Sequence, residues 1–153
     1  MGSCLVADAF CCPSMKRTLL EALERSDYRT VIPMRLFLER RCEGEALDRA
    51  GEVFVELSME SGTEEGIFLL YIAVSDGKLA FVCDKTITRN VGARFFCNAI
   101  KHLIRHFAKG EYRQGVVGYI DSVSRELAAY FPRADEDLSS SAVRLHLGDL
   151  NEW

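Results

Sequence analysis

Two acids bracket the most apolar part of the chain. Glu65 precedes the run Ile67 to Val74, and Asp84 follows the run Leu79 to Cys83. Two carboxylates brought together, with backbone carbonyls, can hold Ca2+, which takes several oxygen ligands, or a hydrated Mg2+. Asp76 and Lys78 lie between the runs. A carboxylate there could add to a metal site, and the ammonium could meet a phosphate. Thr88 is placed to start a helix, whose N-terminus favours an anion. The candidate metal residues are thus Asp84, Glu65 and Asp76, the candidate substrate contacts are Thr30, Thr88 and Lys78, and the ion is Ca2+ or Mg2+.

Those residues can meet only if the chain folds in one way. Ile67 to Val74 is too short to cross a bilayer. It is rich in β-branched and aromatic residues, which predicts a strand covered on both faces. Asp76-Gly77 is a turn pair that accommodates positive φ, so Leu79 to Cys83 returns as the second strand of a hairpin. Thr30 to Glu39 reads as a further strand, with Pro33 near its start, where the missing N–H does least harm. Glu45 to Met59 is amphipathic, with Leu47, Ala50, Val53, Phe54 and Leu57 at helical spacing. A strand, helix, strand unit normally gives a parallel pair. The mixed sheet would then hold Thr30, Glu65 and Asp84 at one edge beside Thr88. Asp76 and Lys78 would lie at the other edge, with Glu39.

Three more helices are predicted. Ser14 can cap one over Met15 to Arg25. Thr88 can cap a long one through Lys109, with Val91, Phe95, Ala99, Leu103, Ile104 and Phe107 inward. The third covers Tyr112 to Tyr130 and is stopped by Pro132. The fold class is α/β, a three-layer α/β/α sandwich whose mixed central sheet contains the buried hairpin. Residues 1–13 read as a flexible lead-in, 14–132 as one domain and 133–153 as a loose acidic tail. Within that tail, Ala142 to Leu147 alternates, as a short edge strand or a partner-docking segment would.

The chain has 153 residues, 48% hydrophobic and 27% charged, with a net charge of −4. That composition suits one globular domain. An acidic balance argues against a general nucleic-acid binder. No run is long and apolar enough to cross a bilayer, and no secretory leader pattern is evident. The six cysteines, Cys4, Cys11, Cys12, Cys42, Cys83 and Cys97, follow no zinc spacing and read as thiols of a reducing cytoplasm. Cys83 and Cys97 are expected to act as small apolar residues. His102 and His106 are one helical turn apart, but no third ligand accompanies them, so they read as a solvated face. Lys101, Arg105, Lys109 and Arg113 read likewise.

Four stretches resemble the TPM domain family, which includes a thylakoid acid phosphatase and many bacterial proteins. Glu65-Gly66-Ile67 through Val74 with Asp76 and Lys78 looks like the family's Asn-Gly-Val, apolar strand and Asp-Arg-Lys hairpin. Asp84 stands where many soluble members carry an acid. Val91-Gly92 resembles the start of the long helix. Phe107 to Gly115 resembles the Phe, Gly, Tyr, Gly signature between the last two helices. The resemblance spans Met15 to Pro132 and implies an α/β/α sandwich. It also implies that some members bind calcium or another divalent ion and that some hydrolyse phosphate esters. Two positions depart: Pro33 stands where the family has Glu, and Gly77 where it has Arg.

The sequence therefore predicts a soluble, cytoplasmic binding or regulatory module with a weak calcium-like site. One rival is a metal-assisted phosphatase acting on phosphate monoesters, with Asp84 and Glu65 holding the ion. The other is a non-catalytic interaction domain that takes a protein partner through the tail, Arg133 to Trp153.

Overall fold

A computed structural model of the chain describes residues 10, 12–61, 67–133 and 145–146. Within these, α1 (Pro13–Arg29) leads to β1 (Met34–Glu39), α2 (Ala46–Ser61), β2 (Phe68–Ala73) and β3 (Lys78–Cys83). Then come α3 (Lys85–Val91), α4 (Ala93–Ala108), α5 (Tyr112–Tyr130) and β4 (Leu145–His146). The sheet order is β3-β2-β1-β4. β1 and β2 are parallel, with Met34 opposite Phe68 and Glu39 opposite Ala73. β2 and β3 are antiparallel, with Phe68 opposite Cys83 and Ala73 opposite Lys78. β4 lies parallel to β1, Leu145 beside Leu36. The result is an α/β fold with a mixed sheet and the expected central hairpin.

The expectation for β2 holds residue by residue: every position from Ile67 to Val74 is at most 1% exposed. Its side chains alternate between two apolar clusters, as strand geometry requires. Phe68, Leu70, Ile72 and Val74 join Leu19, Leu23, Phe96, Ile120 and Leu127. Tyr71 and Ala73 join Cys42, Ala50 and Ala80. Each fully buried Leu, Ile or Phe contributes about 1.5–3 kcal/mol, so this strand anchors the hydrophobic core. Phe10 is buried with the first cluster, against Phe107 and Tyr112.

Several boundaries differ from those read in the sequence. α1 begins at Pro13 with Cys12, not Ser14, at the cap, because proline is preorganised for the first helical position. It runs on to Arg29, so β1 starts only at Met34. Thr30 instead forms an isolated bridge with Pro132. Pro33 contributes its carbonyl to the ladder, accepting from Phe68 N–H at 3.0 Å.

The predicted long helix is two helices. Gly92 takes φ 95°, which ends α3 and opens α4. Asp84, not Thr88, caps the first. Val91, Phe95, Ala99 and Phe107 of the expected stripe do pack against the core. Phe96 and Leu103 are buried in α4, whereas Ile104, expected inside, is 51% exposed. Leu47 at the start of α2 is likewise 63% exposed, its turn lying beyond the sheet-facing stripe of Ala50 and Val53. Cys97 is exposed rather than apolar filler.

Candidate functional site

The β1–β2–β3 register places the candidate residues at the two expected ends of the sheet. At the end where β1 and β2 begin, Asp84 follows β3 directly. Its Oδ1 accepts from Thr86 N–H at 3.0 Å, the ordinary work of a helix cap. Asp84 N–H donates to Ile67 C=O at 3.3 Å, which ties the cap to the start of β2. The second carboxylate oxygen has no hydrogen bond among the described residues. Glu65, the proposed partner carboxylate, lies outside the described residues.

Thr88 is inside α3, and its hydroxyl lies 3.2 Å from Cys83 Sγ. Burial pushes the Cys83 thiol up, offset in part by that contact. Thr30 is fully buried. Its hydroxyl donates to Phe131 C=O at 2.6 Å and accepts from Ile32 N–H at 3.3 Å. Both threonine hydroxyls thus make internal contacts, Thr30 in the core and Thr88 beside Cys83.

At the opposite end, Asp76 and Lys78 clamp the connector after β1. Asp76 Oδ2 accepts from Cys42 N–H at 2.8 Å. Lys78 Nζ donates to Cys42 C=O at 2.8 Å and Gly44 C=O at 2.9 Å. Gly77 between them takes φ 65°, as the turn requires. Glu39 does reach this end, as the topology implied, but it is fully engaged. Arg49 of α2 donates to both its oxygens, at 3.0 and 3.1 Å, and Tyr71 OH donates to Oε2. Burial, and then the bond to Glu39, pushes the Tyr71 phenol far above its ordinary range. Arg49 also lies 5.8 Å from the Phe37 ring centroid. Beside this network an open cleft of about 320 Å3 is lined by Glu39, Cys42, Glu45, Asp48, Arg49 and Glu52, among others.

Two further arrangements lie away from both ends of the sheet. Asp121 on α5 accepts from Arg25 at 3.2 and 3.3 Å and from Arg29 at 2.8 Å, both on α1. Burial pushes its carboxyl up, but the two guanidiniums outweigh this and hold it below the ordinary value. Partners 96 positions apart in the chain cannot be paired by spacing alone. Between α4 and α5, His102, His106, Ser122 and Tyr119 line a cavity of about 200 Å3. His106 Nδ1 is bonded to Glu111 at 2.9 Å, so one of the two histidines already has a carboxylate partner.

Among the described residues, no group of three or more His, Cys, Asp or Glu is placed to hold a metal. Asp84 alone does not make a calcium shell, which needs six to eight oxygens. No helix of the described residues is long and apolar enough to cross a membrane.

The order of elements, the buried hairpin and the signature at the α4–α5 junction define the class. The TPM domain profile matches residues 12–126, three quarters of the chain, and the chain belongs to that family. Among solved structures it is similar to the BA42 protein of the psychrophilic bacterium Bizionia argentinensis, solved by NMR. The two are 26% identical with a TM-score of 0.80, over 90% of this chain and 94% of that one. No curated protein matches it.

Proposed function

We propose that this TPM domain is a non-catalytic binding or regulatory module, a three-layer sandwich with a weak, water-rich divalent-cation site at the Asp84 edge. The observation that carries it is the state of the Asp84 carboxylate. One oxygen caps α3 and the other is free of hydrogen bonds among the described residues. An ion held there would draw on that oxygen, on Glu65, on nearby carbonyls and on water, so weak affinity is expected. The three-layer reading is supported by the two apolar clusters on alternate faces of β2.

Amide NMR titration with Ca2+ and then Mg2+ tests it. Millimolar ion should shift the amides of Asp84 to Thr88 and raise the melting temperature, since a ligand of the native state stabilises it. Asp84→Asn should abolish the shift while keeping the cap, because Asn caps about as well as Asp. Unmoved amides would remove the cation site. Aryl-phosphate hydrolysis that disappears in Asp84→Asn would replace the module reading with a phosphatase. For a tail-bound partner, deletion of Arg133 to Trp153 is a poor probe, because Leu145 and His146 pair with β1. Substitution of Trp153 in a pulldown is cleaner.

A further inference from the structure

We infer that the outward face of α4 docks on the outward face of α2 in a second copy of this chain, giving weak, salt-sensitive, head-to-tail association. Between Lys85 and Gly110 the sequence contains six Lys or Arg and no acid, in a chain whose net charge is −4. Four of these cations, Arg94, Lys101, Arg105 and Lys109, are exposed. At 3.6 residues per turn they fall within an arc of about 80°. That arc points away from buried Phe96 and Leu103. Among the described residues none of the four is in an ion pair.

α2, with Glu45 just before its first residue, carries the complement. Glu45, Glu52, Glu56 and Glu60 are spaced seven, four and four residues apart, the same spacing as the four cations. Glu45, Glu52 and Glu56 are exposed and also lie outside any ion pair among the described residues. On the helical wheel they lie about 120–160° from buried Ala50 and about 60–100° from buried Val53, and Glu45 and Glu52 also border the cleft beside Arg49. Laid side by side and running in the same direction, the helices bring Glu45 level with Arg94, Glu52 with Lys101 and Glu56 with Arg105. The match extends over about 16 Å at 1.5 Å per residue. Exposed Val55 and Ile104, 56% and 51% accessible, border the stripes and add apolar surface. The two faces are different, so the contact is heterologous and leaves each copy free to add another. One helix face is smaller than the roughly 800 Å2 per partner of a stable interface, hence the weak affinity.

Sedimentation velocity on the full chain decides it. At about 10 mM salt, where the screening length is about 30 Å, the mean mass should rise with concentration above the 17.2 kDa of one chain. At about 1 M salt, where that length is about 3 Å, it should return to one chain. K101E/R105E and E52K/E56K should each weaken association by on the order of tenfold or more. An equimolar mixture of the two should regain it, because each then presents the charge the other lacks. K101Q/R105Q and E52Q/E56Q serve if a reversal variant does not give the wild-type circular dichroism spectrum. A chain that stays monomeric at low salt, a reversal without effect, or a mixture that stays dissociated overturns the inference. So does loss of association in the α4 variant alone, which would mark a different acidic surface of the second copy as the partner of that face.

Discussion

Asp76 and Lys78 grip one residue from both sides: Asp76 accepts from the Cys42 N–H, and Lys78 donates to the Cys42 carbonyl. The β2–β3 turn is thereby fastened to the connector that leaves β1. Asp76→Ala would strand the Cys42 N–H in a part-buried setting, at a cost of about 1–3 kcal/mol. Asp76→Asn keeps an acceptor and should recover most of that. Urea unfolding of the pair of variants checks both expectations. If alanine and asparagine behave alike, the clamp contributes nothing through this bond.

Tyr71 sets an alkaline limit. Burial and the bond to Glu39 raise its pKa above the ordinary value near 10, and burial raises Tyr119 as well. The folded state therefore prefers the neutral phenol. The stability this gives is fully present below about pH 10, the unfolded value. It is lost progressively as pH rises beyond it, where only the unfolded chain ionises. Tyr71→Phe should flatten the fall of stability above pH 10 and cost about 0.5–1.5 kcal/mol at neutral pH. Denaturant melts from pH 7 to 11 provide the measurement.

Asp121 sets the acid side. Its folded pKa lies below the ordinary carboxylate value, so its contribution is present above that ordinary value and is lost as pH falls through the folded one. Asp121→Asn removes the charge that Arg25 and Arg29 share and should cost about 1–3 kcal/mol near neutrality. It should also make the acid limb of stability against pH shallower. An unchanged limb would mean that other carboxylates govern acid unfolding.

Gly115 of α5 lies close against α4. A Cβ there would meet His106 Cβ at 2.8 Å and Leu103 Cδ1 at 3.2 Å. Gly115→Ala gains about 1 kcal/mol in helix propensity but must push the helices apart, so a net loss of about 1–2 kcal/mol is expected. Gly118, one turn on, has open space around it. Gly118→Ala should stabilise by up to about 1 kcal/mol. Thermal melts of the two variants should move in opposite directions.

The hairpin was legible because an eight-residue apolar run allows few alternatives, and α5 because its stripe is long and Pro132 ends it. The α3–α4 break was not legible. An isolated glycine is tolerated within a helix, and only the backbone angle at Gly92 reveals the stop. Asp84 and Thr88 were both competent caps. Asp84 prevails because it comes directly off β3, while the Thr88 hydroxyl turns to Cys83. For the candidate site, topology alone placed Asp84 at one end and Asp76, Lys78 and Glu39 at the other. What those side chains do there depends on Cys42, Arg49 and Tyr71, partners whose spacing along the chain carries no pattern.

Gly92 has no atom within 4 Å of where a side chain would begin, yet its φ of 95° is strained for any L-residue with a Cβ. A substitution there is penalised by the main chain itself, by about 1–3 kcal/mol, and not by crowding. Carving out a larger neighbour elsewhere could not rescue it. A suppressor would have to let the two helical segments meet at a new angle, and so would swing the whole basic flank of the molecule with it.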